Sequence, residues 1–143
     1  MNREILFRAW YKTKKKMVFF PDLNSCWIAS NGIIGIDTDL KSDTYIEHEN
    51  EWWKNMSLLT QYTGLKDKNG KEIYEGDILH YDSEKIAGYT KVVVEENLEV
   101  RFQDGAFTTK LELLGNGLRR RNMYVIGNIY ENPELLQTNA FQR

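Results

Sequence analysis

Two carboxylates flank a glycine at Glu75-Gly76-Asp77, a spacing that could serve acid–base chemistry. Alternate residues of a strand point to the same side, so Glu75 and Asp77 could share a face. Such sharing would raise the pKa of one carboxyl, as a general acid requires. Carboxylates beside a turn glycine more often accept backbone N–H groups, and we therefore favour a structural turn.

A metal site is poorly supported by the acidic residues and histidines. Asp37, Asp39 and Asp43 alternate as calcium ligands do, but the central glycine and the late glutamate of a calcium loop are missing. His48 and His80 have no paired ligands near them in sequence. We expect a solvated acidic loop, two ordinary histidines and no bound metal.

Phosphate binding and nucleophilic catalysis are disfavoured in the same way. Gly64 and Gly70-Lys71 do not have the Walker spacing, and Glu72 stands where its hydroxyl residue belongs. Cys26 is the only cysteine and has no neighbouring base, so it predicts neither a disulfide nor a nucleophile. We predict no catalytic residue and no cofactor.

Two basic clusters beside aromatic residues could bind nucleic acid, since cations neutralise phosphates and rings stack on bases. Each cluster alone is typical of a solvated turn, and the hypothesis requires the fold to bring both onto one face. The clusters are Lys12, Lys14, Lys15 and Lys16, and Arg119, Arg120 and Arg121.

Aromatic density inside a polar section indicates a candidate protein-binding surface. Trp52 and Trp53 lie near Tyr45 and Met56, and large rings not needed in a core favour interfaces. Packing in the core, or as a lid over it, is the alternative. A second copy of the chain is as plausible a partner as a host protein.

Composition bounds these interpretations. The chain has 143 residues, with 19 basic and 21 acidic side chains and a net charge of -2, so no global field attracts nucleic acid or an anionic membrane. Charges interrupt the apolar run at the N-terminus, unlike a signal peptide, and no run is long enough for a membrane helix. We expect a soluble cytoplasmic protein.

The elements that must position these residues are mainly strands. In the first part, residues 4–10 and 17–20 predict one hairpin, and residues 26–29 and 33–36 flank Asn31-Gly32 as a second. Residues 51–62 fit neither a helical nor a strand period cleanly, so both remain open.

The second part shows turns between short strands. We expect turns at residues 67–71, at Gly76 and at 103–105, and a short helix with Asn132 as N-cap and Pro133 at its first position. Five short strands separated by such turns favour a small, strongly bent barrel. They are predicted at residues 78–81, 91–95, 98–102, 106–113 and 123–130.

Three blocks of the sequence resemble the YopX family of phage and prophage proteins. They are REI and FRAW within residues 3–10, QYTGLKD through NG to EGDI at residues 61–78, and VIGNIYENPELL at residues 125–136. The resemblance implies a mostly β fold with a barrel-like part and a phage or prophage gene. It supplies no biochemical activity and no catalytic residue.

We therefore predict a mainly β protein, with N-terminal hairpins plus a small SH3-like or otherwise bent C-terminal barrel and a short C-terminal helix. Residues 1–143 would form one YopX-like domain, with a hairpin subdomain at 1–62 and a barrel subdomain at 63–143. The expected function is a non-enzymatic protein-interaction or self-assembly module in the cytoplasm of the bacterial host. We expect a homo-oligomer, with a host or phage protein as a further candidate partner, and no membrane. A nucleic-acid-binding accessory protein is the alternative.

Overall fold

The computed structural model of the chain describes residues 4–12, 15–20, 26–28, 34–36 and 59–137. The chain divides into two compact units, Met1–Tyr62 and Thr63–Arg143. The elements are β1 Phe7–Tyr11, β2 Lys16–Phe20, β3 Cys26–Ile28, β4 Ile34–Ile36, β5 Thr60–Lys66, β6 Glu72–Tyr74, β7 Asp77–Ala87, β8 Thr90–Glu99, β9 Arg101–Gln103, β10 Ala106–Thr108, α1 Leu114–Arg120, β11 Tyr124–Asn128 and a 3₁₀ helix Pro133–Leu136.

The fold class predicted from the sequence is confirmed. The protein is mostly β, with a curled half-barrel sheet and a short C-terminal helix. Strand follows strand through tight turns, and this explains why the sequence shows no long helical period.

In the first unit, both predicted hairpins are confirmed by the pairing of their strands. β1 pairs with β2 from Phe7↔Phe20 to Tyr11↔Lys16, and β3 pairs antiparallel with β4. The Asn31-Gly32 turn and residues 51–58 lie outside the described residues. β5 begins at Thr60, whose side-chain hydroxyl donates to the carbonyl of Arg8 at 3.2 Å.

In the second unit, the predicted turns are present where glycine permits a left-handed backbone. Gly70 has φ +81° and Gly76 has φ +86°. Asp104 and Gly105 both have positive φ, as a type I′ turn requires, and they connect β9 to β10. These turns set where each strand of the curled sheet starts.

A long hairpin dominates the second unit. β7 and β8 pair without interruption from Ile78↔Glu99 to Ala87↔Thr90, and they form a three-stranded sheet in the order β11-β7-β8. β11 reaches β7 only between Asp77 and His80 and has an irregularity between Val125 and Gly127. Beyond Tyr81 the hairpin is therefore a two-stranded ribbon in the described part of the chain.

The main core lies in the second unit, on one side of the inner part of this hairpin, residues 77–81 and 96–99, which we call the root. Its members come from β6, β7 and β8, from the residue between β8 and β9, from α1 and from the segment that leads into β11, and all are at most 4% exposed. Burial of such side chains supplies most of the stabilisation of a domain of this size. The members are Ile73, Leu79, Tyr81, Leu98, Val100, Leu114 and Met123.

Two local predictions near the C-terminus need correction. The strand predicted over residues 106–113 ends at Thr108, and α1 follows from Leu114, where no helix was expected. The helix that starts at Pro133 is confirmed as a 3₁₀ helix, but Asn132 makes no side-chain capping bond. Instead, the Asn128 side chain accepts the N–H groups of Tyr130 and Glu131.

Candidate functional site

The turn at Glu75-Gly76-Asp77 is built as a structural device. Asp77 is 2% exposed, and its Oδ2 accepts the backbone N–H of Tyr74 at 2.8 Å. The backbone N–H and C=O of Gly76 bond to Val100 and Ile129, both at 2.8–2.9 Å. These contacts support the turn interpretation of the carboxylates over the acid–base one.

Asp67 is a buried carboxylate whose importance the sequence analysis did not single out. Its Oδ1 accepts the N–H groups of Asn69 and Lys71, and its Oδ2 accepts that of Val125 at 2.9 Å. Burial by itself raises the pKa of Asp67, but the three backbone N–H donors and the nearby Lys71 charge outweigh it. The net pKa is below the ordinary value, so the group is a charged anchor and not a proton donor at neutral pH.

A polar cluster lies where the core meets the exposed part of the hairpin. Tyr81 and Glu96 are direct cross-strand partners, and the Tyr81 hydroxyl donates to Glu96 Oε2 at 3.0 Å. Lys110 pairs with the other oxygen of the same carboxylate. Burial opposes the charge of Glu96, yet the hydrogen bonds from Lys110 and Tyr81 bring its pKa below the ordinary value. Burial and the bond to Glu96 raise the pKa of Tyr81.

The arginine cluster is largely occupied by contacts within the second unit. Arg121 pairs with Glu112, and its guanidinium lies 5.4 Å from the centre of the Tyr81 ring. Arg120 reaches the same carboxylate at 3.5 Å, while Arg119 donates to the side-chain oxygen of Asn116 at 2.6 Å. Glu112 thus offsets part of the positive charge that the nucleic-acid hypothesis requires.

The lysine cluster lies at the connection between β1 and β2. Lys12, Lys15 and Lys16 are exposed, and Lys15 adopts φ +49°. Lys14 lies outside the described residues. The lysines belong to the first unit and the arginines to the second, so their convergence stays a prediction.

The predicted aromatic surface also stays a prediction. Tyr45, Trp52 and Trp53 lie outside the described residues, as do Asp37, Asp39, Asp43 and His48. Among residues that the structure does describe, no group of three or more His, Cys, Asp or Glu is placed to hold a metal ion. Within the same ranges, no helix has the length and apolarity needed to cross a membrane.

The structure adds a surface that the sequence analysis missed, the outer part of the β7–β8 hairpin. We call residues 82–95 the arm. Ile86 is 82% exposed, Tyr89 is fully exposed, and Val92 and Val93 are 42% and 56% exposed. Apolar side chains are thus concentrated on a two-stranded ribbon away from the core cluster, and this pattern is typical of a contact surface.

One signal in the sequence could have revealed the arm. Gly88-Tyr89 is a two-residue connection between β-branched and apolar residues, and Gly88 has φ +64° as a type II′ turn requires. The run Asp82-Ser83-Glu84-Lys85 is polar, so the continuation of β7 through it was not recognised. A strand without a buried face shows no apolar alternation.

The turns of the second unit, the block at residues 125–136 and the mostly β fold are what the resemblance to the YopX family implies. A comparison with family models agrees. The family model described as YopX protein matches residues 6–137, which is nearly the whole chain, and the protein belongs to the YopX family.

A solved relative supports the same assignment. The crystal structure of protein EF1440 from Enterococcus faecalis is similar, with 34% sequence identity and a TM-score of 0.56. The alignment covers 94% of this chain and 99% of that chain. No curated protein gives a significant match.

Proposed function

We propose that this YopX protein is a non-enzymatic, phage- or prophage-encoded protein-interaction or self-assembly module of the bacterial cytoplasm, and that the arm is its contact surface. The observation that carries the proposal is the exposure of Ile86, Tyr89, Val92 and Val93 on the arm. Aromatic and aliphatic side chains that a fold leaves in water are those that interfaces most often bury.

The architecture of the arm supports a binding role. A two-stranded hairpin is marginally stable in water unless a third strand or another surface covers it. In the described residues, nothing pairs with the arm beyond its own two strands. A partner would therefore stabilise the ribbon while burying its apolar side chains.

The non-enzymatic part of the proposal is supported by the state of the buried and half-buried carboxylates. Asp67 and Asp77 accept backbone N–H groups, and Glu96 and Glu112 are paired with cations. The pKa values of Asp67 and Glu96 lie below the ordinary range, which is the opposite of what a general acid requires.

Nucleic-acid binding is the competing proposal, and it receives less support. Arg120 and Arg121 pair with Glu112, and Asp82, Glu84 and Glu95 make the arm acidic in part. The exposed Lys12, Lys15 and Lys16 at the β1–β2 connection are what still favours this alternative.

The test is solution mass by light scattering over a wide concentration range, with and without mixed single- and double-stranded DNA and RNA. A parallel affinity capture uses lysate from the phage's host. The variant is Ile86→Ser with Tyr89→Ser, and the matched control is Leu111→Ser, because Leu111 is an exposed leucine of the same unit outside the arm.

We expect wild type and control to self-associate or to retain a defined protein partner, and the arm variant to lose that association by about tenfold or more. Two results would overturn the proposal. One is a partner or oligomer that the arm variant retains in full. The other is a mass that rises only with nucleic acid and falls back at high salt.

A further inference from the structure

The outer edge of β8 is open along the arm. β8 is the last strand of its sheet, and no described strand pairs with its far side. The hairpin turn has two residues, so the pair that closes it, Ala87 and Thr90, is hydrogen-bonded and bonding alternates from there. The backbone N–H and C=O groups of Lys91, Val93 and Glu95 therefore point away from β7.

This edge is complementary to itself. The five residues Lys91-Val92-Val93-Val94-Glu95 read as cation, three valines, anion, and in the opposite direction as anion, three valines, cation. In an antiparallel pair, residues directly opposite each other share a face and interact. A two-fold axis at Val93 would place Lys91 opposite Glu95 of the second copy, and Val92 opposite Val94.

We propose that the partner of the arm is a second copy of this chain, bound edge to edge through antiparallel pairing of the two β8 strands around Val93. This inference rests on the proposed function and names its partner. The result is a continuous four-stranded ribbon in which each copy contributes β7 and β8. Two Lys91–Glu95 contacts and three valine pairs form at once, because the interface is isologous.

The charges within one hairpin favour this partner. Glu95 lies directly opposite Asp82, and like charges in that position destabilise a hairpin. In the described part of the chain Glu95 has no ion-pair partner. Lys91 of a second copy would supply the missing cation. The internal partner of Lys91 is Glu84 at 2.5 Å, with both side chains more than half exposed, and such surface pairs contribute little.

The register is specific, and the other edge of the ribbon is unsuited to the same contact. Moving the axis to Glu95 would place Glu95 of one copy directly opposite Glu95 of the other. Along β7, an axis at Glu84 would likewise oppose Glu84 to Glu84. Like charges directly opposite each other are unfavourable. An axis at Val93 avoids both conflicts and places each charged residue of positions 91–95 opposite a residue of the other sign.

Charge reversal tests this arrangement. Lys91→Glu would place two glutamate–glutamate contacts across the axis, and Glu95→Lys would place two lysine–lysine contacts there. We expect each variant alone to dimerise at least about tenfold more weakly than wild type, because the symmetry doubles each unfavourable pair. An equimolar mixture of the two variants should form a heterodimer.

The pairing in the mixture follows from which copy carries which change. The Lys91→Glu chain has glutamate at both positions, and the Glu95→Lys chain has lysine at both. Each cross-axis pair of the heterodimer therefore joins one glutamate to one lysine. Each homodimer joins only like charges, so mixing should restore the association that either variant alone has lost.

The measurement is sedimentation equilibrium of the full chain, with Lys85→Glu as the control. Lys85 is an exposed lysine of the same arm, but it lies on β7, away from the pairing edge. The control should dimerise like wild type, and far-UV circular dichroism of each variant should match wild type.

Three outcomes would overturn the edge-to-edge dimer: a wild-type monomer at all concentrations, single variants that dimerise normally, or a mixture that stays monomeric. If the wild type is a monomer but the Ile86→Ser and Tyr89→Ser variant still loses a host protein, only the self-pairing falls and the interaction role remains. If no association of any kind depends on the arm, both fall together.

Discussion

The root and the arm of the β7–β8 hairpin belong to the same two strands and the same register, yet they differ in everything that surrounds them. At the root, Leu79 and Leu98 are at most 1% exposed and pack in the core. In the arm, Ile86 and Val93 are mostly exposed. Strand pairing therefore continues where no core supports it, and what differs between the two regions is only what covers the side chains.

The largest difference in the free energy of unfolding is expected between substitutions of Leu79 and of Ile86, which both lie on β7. Leu79→Ala should reduce the free energy of unfolding by about 2–5 kcal/mol, because it leaves a cavity in the core. Ile86→Ala should change it by no more than about 0.5 kcal/mol, because that side chain is already in water. Urea unfolding monitored by circular dichroism, at concentrations low enough to keep the chain monomeric, measures both.

If Ile86→Ala reduced the free energy of unfolding nearly as much as Leu79→Ala, the contrast between the root and the arm would be contradicted. It would mean that the arm is covered by other parts of the same chain. Leu98→Ala serves as the matched second core variant, since Leu98 lies directly opposite Leu79.

An intermediate effect is expected at Asp67, which ties β11 to the turn before β6 and so supports the root. Asp67→Asn keeps one acceptor oxygen but sets an amide against the Val125 N–H, and should cost about 1–3 kcal/mol at neutral pH. The folded-state pKa of Asp67 is lower than its ordinary value of 3.8. Its stabilisation is therefore fully present above the ordinary pKa and is lost as pH falls through the folded-state pKa.

Stability measured against pH checks the Asp67 prediction. The difference between wild type and Asp67→Asn should shrink as the solution becomes more acidic than the ordinary aspartate pKa. Glu131→Gln is the control, because Glu131 is an exposed carboxylate outside the arm. A difference that stays constant down to strongly acidic pH would contradict the charged-anchor role of Asp67.

The smallest of these changes in stability is expected at Tyr81, where the root meets the arm. Tyr81→Phe removes the donor to Glu96 and should cost about 1 kcal/mol at neutral pH. It should also raise the pKa of Glu96, which the hydrogen bonds from Lys110 and Tyr81 keep low against the effect of burial. Carboxyl titration by NMR measures this shift.

An unchanged Glu96 pKa in Tyr81→Phe would show that Lys110 alone holds the charge. Since the folded-state pKa of Glu96 is depressed, its stabilisation is present above the unfolded value and is lost as pH falls through the folded value. The variant should show less of this acid-dependent loss.

The turns of the second unit were predictable because they depend on residue chemistry over a few positions. Asn69-Gly70, Gly76 and Asp104-Gly105 each adopt the backbone that their types favour. β8 alternates where one face meets the core, with Leu98 buried between the half-buried Asn97 and Glu99.

Helix α1 was not predictable in the same way. Leu111-Glu112-Leu113 alternates like a strand, and Gly115 and Gly117 are poor helix formers. Tertiary packing overrides both signals, because Leu114 is buried in the core and a side chain at Gly117 would meet Met123. The β7 half of the arm was missed for the opposite reason, because a strand that no core covers shows no apolar alternation, whereas the β8 half was predicted as a strand at residues 91–95.

The Asp67 carboxylate also sets an order of events in folding. Its bonds to Asn69 and Lys71 span two and four residues, whereas its bond to Val125 spans 58. The local turn can form early at little entropic cost, but the last acceptor site is filled only when the chain from β6 to β11 has returned. We therefore expect the turn at Asp67 to form before the bond to Val125, and we expect loss of that long-range bond to act mainly by speeding unfolding.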